Sequence, residues 1–112
     1  MITSTQLLGK NCTSAVTALR GDQQDEYLGA LDGWTIKGGQ IVKTYRFGNY
    51  YETLAFVNAL AWMVHAEDHH PDLEVSYNRC TVKYNTHSVD GISENDFICA
   101  AKADAIFRHG AA

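Results

Sequence analysis

The sequence predicts an α+β domain with elements in the order α-β-β-α-β-β-α: a four-stranded antiparallel sheet with helices packed on one face. Three observations carry this. Two pairs of short runs alternate apolar and polar with period two, the long segment between them is apolar at helical spacing, and the flanking helical segments are apolar on one side only. A chain of 112 residues makes one domain with a single core, and 46% hydrophobic residues are enough to fill it.

Residues 1–20 are weakly patterned and read as an N-terminal extension of uncertain order, leaving a single domain over 21–112. "DQQDEYLGALDGW", 22 to 34, reads as a short amphipathic helix with Asp22 as N-cap, Leu28 and Leu31 facing inward and Gly33 stopping it. "WTIK" and "QIVKTYRF" follow as strands. The Gly38-Gly39 pair between them signals a hairpin, because both residues tolerate positive φ.

From Asn49 the period changes. "NYYETLAFVNALAWMVHAED" puts Leu54, Val57, Ala61 and Val64 on one stripe, widened by Phe56, Leu60 and Met63, which predicts a helix of about five turns. Pro71 is expected to end it, since residues before proline avoid the α region. "LEVSYN" and "CTVKYNTH" then alternate by two, with Cys80, Val82 and Tyr84 on one face and Thr81, Lys83 and Asn85 on the other. After an Asp90-Gly91 turn, Ser93 and Asp96 have capping-box spacing, and Phe97, Ile98, Ala101 and Ala105 form the inner face of a closing helix. Four short strands leave two open edges, and such edges can pair across a dimer.

The formal net charge of −4 and pI near 5.6 give no positive field for nucleic acid or an anionic membrane. The opening residues lack the basic start and apolar run of a secretory signal, and no stretch is long enough to span a bilayer. Cys12, Cys80 and Cys99 form no CxxC pair and read as reduced thiols, so a cytoplasmic location is expected.

"EDHHPD", residues 67 to 72, is the most informative stretch. A lone histidine is usually solvated or core, and His109, near the terminus, reads that way. His69 and His70 stand where the long helix runs out and His87 where the last strand does, and polar groups collected on such loops form sites more often than scattered ones. His65 and His69 at i, i+4 could face one ion, but "HAEDH" is not HExxH and no cysteine is near, so metal binding is the weaker reading. Imidazoles exchange protons near neutrality, so the residues alone indicate a proton-transfer or ligand site.

The ordered set of "HxxxHHP", "YN", "TH" and "DGISENDF" resembles the pterin-4a-carbinolamine dehydratases, and "YRFGNYYETLAFVNAL" looks like their bacterial members. The likeness runs from about Trp34 to Ile106. It implies the same α+β fold, assembly as homodimers or homotetramers, a pterin as substrate, and neither metal nor other cofactor. The implied reaction is loss of water from 4a-hydroxytetrahydropterin to give quinonoid dihydropterin, a hydro-lyase step in tetrahydrobiopterin recycling. An aromatic amino acid hydroxylase is the implied pathway neighbour.

By similarity His69 and His87 are the acid–base pair and His70 orients the pterin. Asp68 is expected to hold an imidazole in its useful tautomer, and Pro71, Thr86 and Ser88 to line the substrate site. Asp96 matches the family's closing aspartate but also reads as a cap. His65 stands where relatives most often carry glutamate, and Leu73 where animal members carry an aromatic residue; these put the pocket's charge and one wall in question. The alternative function is a non-catalytic binding, dimerisation or enzyme-assisting protein on the same fold, since animal members also act as dimerisation partners for a transcription factor.

Overall fold

Gly38 and Gly39 take φ of 60° and 77°, the left-handed pair that a two-residue hairpin demands. They join β1 (Thr35–Lys37) to β2 (Gln40–Arg46) in this computed structural model, which describes residues 1–110. A second hairpin joins β3 (Asp72–Ser76) to β4 (Arg79–Tyr84). All pairings are antiparallel and the strand order is β1-β2-β4-β3, so the two hairpins meet along their second strands.

Register decides which side is covered. Ile41 lies opposite Tyr84 and Tyr45 opposite Cys80, and all four are buried together with Val82. The alternation expected for β4 is therefore present: Cys80, Val82 and Tyr84 face the core, while Thr81 and Lys83 lie on the open face. The helices are α1 (Ser4–Leu8), α2 (Gly21–Leu28), α3 (Tyr50–Glu67) and α4 (Glu94–Gly110). They cover one face of the sheet, as the sequence predicts for an α+β domain.

Two helices differ in detail from the expectation. α2 stops at Leu28 with Gly29 as its cap residue, so Leu31 is half-buried beyond the helix and Gly33 does not end it. Asp22 is not its N-cap: the Gln23 side chain accepts the Arg20 N–H at 2.9 Å, and Asp22 pairs with the exposed Arg20 guanidinium. In α3 the Asn49 side chain accepts the Glu52 N–H, as a helix N-cap should. The buried face of α3 is Thr53, Phe56 and Leu60, rotated from the expected stripe so that Ala61 is exposed. Thr53 explains the offset. Its hydroxyl lies 3.0 Å from the carbonyl oxygens of Asn49 and Tyr77, so a polar residue is part of the packed face.

Where the sequence leaves residues 1–20 open, the structure fastens them to α4. Thr3 and Gln6 cap α1 reciprocally, and Leu7 is fully buried. Thr13 and Asn95 exchange two hydrogen bonds, of 3.1 and 2.7 Å, and the Leu19 N–H donates to the Ile92 carbonyl at 2.8 Å. A five-residue helix with one buried side chain carries no period to read. Among the described residues no helix is long and apolar enough to cross a membrane.

Candidate active site

Asp72 pairs with Lys83, so the chain entering β3 and the chain leaving β4 lie at the same end of the sheet. His69, His70 and Pro71 precede the one; Thr86, His87 and Ser88 follow the other. Sheet register thus gathers two histidine-bearing segments that are far apart in sequence.

α3 ends before it reaches them. Asp68 adopts the left-handed region, φ 52° and ψ 43°, and its N–H donates to the His65 carbonyl at 3.3 Å. The helix therefore stops at Asp68 itself, three residues ahead of Pro71. His69 falls outside the helix, so the i, i+4 relation that would aim His65 and His69 at one ion does not hold. His65 stays on the last helical turn, exposed.

His69 is the best-held imidazole. Its Nε2 lies 2.6 Å from Asp96 Oδ1, its ring stacks on Tyr84 at 5.2 Å between centroids and 15° between planes, and its side chain is 13% exposed. The Tyr84 hydroxyl donates to the His69 carbonyl at 3.2 Å, fixing the backbone as well as the ring. Asp96 is fully buried. Its second oxygen accepts the Ser93 N–H and the Thr86 hydroxyl, each at 2.9 Å, and Ser93 Oγ lies 2.7 Å from Thr86 Oγ1. With Thr86 donating to Asp96, the Ser93 hydroxyl donates to Thr86, so the carboxylate is satisfied from behind while one oxygen meets the imidazole. Asp96, in the first turn of α4, thus accepts the N–H of Ser93 just before the helix and also partners His69.

Two expected roles move accordingly. The carboxylate that reaches an imidazole is Asp96, not Asp68, because Asp68 is spent as the exposed left-handed cap of α3. Thr86 does not face outward to a ligand: it is 4% exposed and its hydroxyl is committed to Asp96 and Ser93. His70, His87 and Ser88 are exposed, His87 and Ser88 on a single 3-10 turn over His87–Val89, and Pro71 is half-buried. Tyr84 and Ser93 escape the sequence reading as site residues. The alternation of β4 marks Tyr84 as core, which it also is.

Burial of the His69 ring works against its charge. The hydrogen bond and negative charge of Asp96 outweigh that, with a further push from Cys99, and His69 is held above the ordinary imidazole value. Nε2 is engaged by Asp96, which leaves Nδ1 as the nitrogen able to exchange a proton with a ligand.

Fold and site together define a class, a small α+β protein carrying a carboxylate–imidazole pair at one end of its sheet. The chain belongs to the pterin 4 alpha carbinolamine dehydratase family, whose sequence model matches residues 17–106. A protein of Bdellovibrio bacteriovorus that goes by the family's name is 56% identical over 110 residues, covering 95% of this chain and 92% of its own. A namesake from Nitrosospira multiformis is 52% identical over 99 residues, 88% of each chain. A crystal structure of a transcriptional coactivator/pterin dehydratase from Brucella melitensis superposes with a TM-score of 0.77 at 34% identity, covering 80% of this chain and 98% of that one. A pterin dehydratase-like protein identified as a RuBisCO assembly factor in the alpha-carboxysome shares the fold, with a TM-score of 0.55 and 24% identity over 65% of this chain and 84% of that one.

Proposed function

We propose that the protein dehydrates 4a-hydroxytetrahydropterin to quinonoid dihydropterin, with His69 and His87 exchanging the protons and His70 holding the pterin. The observation that carries this is the His69–Asp96 pair. Hydroxide is a poor leaving group, so the reaction needs an acid that is still protonated near neutrality, and Asp96 raises His69 toward that task. His69 donates its Nδ1 proton to the 4a oxygen as the C–O bond breaks. The N5 lone pair moves into the new C4a–N5 double bond, water leaves, and His87 removes the N5 proton. His87 releases that proton to solvent and His69 takes one up, which restores the starting state. The step is redox-neutral and calls on no cofactor. A pterin-dependent hydroxylase is the class of enzyme that would supply the substrate. Turnover of chemically generated carbinolamine well above the buffer rate is expected; a rate equal to buffer alone, with pterin still bound, would favour the binding-protein reading instead.

We infer further that the chain works as a homodimer or homotetramer. β3 is an outer strand, and Leu73, Val75 and the adjoining Tyr77 are 37%, 43% and 63% exposed. An apolar open edge of this kind invites pairing with a second copy. Sedimentation at micromolar concentration should show the dimer or tetramer, and monomer alone would contradict it.

A further inference from the structure

Two of the three cysteines meet across the fold. Cys12, in the segment leading from α1, is half-buried, and its Sγ lies 3.5 Å from Sγ of Cys99, which is fully buried on α4. The approach is held from both sides. The Cys12 N–H donates to Glu67 Oε1 at 2.8 Å, and the next residue, Thr13, is bound to Asn95, one turn before Cys99. Glu67 is itself held by Lys102 at 2.6 Å. Cys80 is buried as a core residue of β4.

A disulfide needs its sulfurs at about 2.05 Å, so closing this pair takes a movement of roughly 1.5 Å. The two thiols are also unequal. The hydrogen bond from Cys12 holds the Cys99 thiol below its usual value, against burial and with help from Tyr84 and the charge of His69, while Cys12 is pushed up. Solvent reaches Cys12, and the buried Cys99 behind it has the stronger thiolate character.

We propose that Cys12 and Cys99 form a dithiol oxidation site, which closes to an intrachain disulfide when hydrogen peroxide reaches Cys12. Cys12 is the sulfur an oxidant meets first: it gives up its proton as it takes hydroxyl from the peroxide, the O–O bond breaks, and the departing hydroxide leaves with that proton as one water, so a sulfenic acid remains. Cys99 releases its proton and attacks that sulfur as the thiolate; the S–S bond forms, the S–O bond breaks, and the hydroxide that leaves takes up the released proton as a second water. Two thiols are oxidised by two electrons and one peroxide is reduced. Closure fastens the N-terminal segment to α4 one turn beyond Asp96. The proposal is independent of pterin turnover.

The test exposes the purified full chain to hydrogen peroxide, then denatures it and alkylates with maleimide. Of the three thiols in the sequence, one should remain free, with the mass lowered by two hydrogens and one reducible peptide joining residues 12 and 99. The oxidised chain should melt higher by on the order of 10 °C, because the bridge constrains the unfolded chain. Cys12→Ser should keep both of its remaining thiols free and show no such rise. Three free thiols after oxidation, a bridge between chains, or a Cys12 sulfinic acid beside a free Cys99 would each overturn the assignment.

Discussion

Asp96 and Asp104 lie two turns apart on α4, and both are buried, at 0% and 6% exposure. Asp104 meets Lys43 Nζ at 2.8 Å, the Tyr45 hydroxyl, and Trp34 Nε1 at 3.2 Å. Indole is a donor only, and burial first, then the charge of Asp104, pushes the Tyr45 hydroxyl far up. Asp96 meets His69, whose proton is exchangeable near neutrality and whose ring keeps an exposed edge. The same residue type on the same helix therefore meets fixed donors in the core at one end and a titratable imidazole at the other.

The sharpest way to break this contrast is to remove the two partners in turn. His69→Ala should lower kcat by about 10²- to 10⁴-fold with a smaller change in KM, measured against the uncatalysed rate, because a positioned acid is lost. The double variant with His87→Ala should fall further. Near-full turnover in the double variant would show that these imidazoles do not move the protons. Asp104→Ala should do the reverse, costing about 3–5 kcal/mol in denaturant unfolding because it leaves Lys43, Tyr45 and Trp34 without their acceptor, while the folded fraction keeps its kcat. A catalytic loss without a stability loss would erase the distinction.

Smaller effects sharpen it. Thr86→Val keeps the shape but removes the hydroxyl behind Asp96, and should cost about 1–3 kcal/mol of stability. His70→Ala should raise KM by roughly 10-fold, worth about 1.4 kcal/mol, and touch kcat less. The smallest effect is on pH dependence. The His69 value is raised on folding above the unfolded value of about 6.5. Its contribution to stability is therefore full below about pH 6.5 and is lost as pH rises through the raised value. That segment of the stability curve should flatten in His69→Ala.

Much of this was legible in the sequence, and the rest was hidden for physical reasons. Period-two alternation fixed both hairpins, and Gly38-Gly39 marked its turn because only positive φ fits there. The N-terminal segment stayed unread because its attachment runs through single contacts, Leu7 in the core and Thr13 on Asn95, which leave no periodic trace. Thr53 hid the true packing face of α3 because a polar residue belongs to it. At the site, the histidines stood out as a cluster, but the identity of their carboxylate did not. Asp68 is adjacent in sequence and Asp96 is adjacent in space, and only the docking of α4 against the loop after α3 decides between them. Tyr84 was concealed by doing two things at once, filling the core and stacking on His69.

Asp96 holds the His69 imidazole above its ordinary value, and nuclear magnetic resonance titration of the His69 ring tests that claim most directly. The wild-type ring should titrate above the ordinary imidazole value of about 6.5, and Asp96→Asn should bring it down as the anionic partner is lost. A wild-type ring that titrates at or below about 6.5, or one that does not move in Asp96→Asn, would contradict the account.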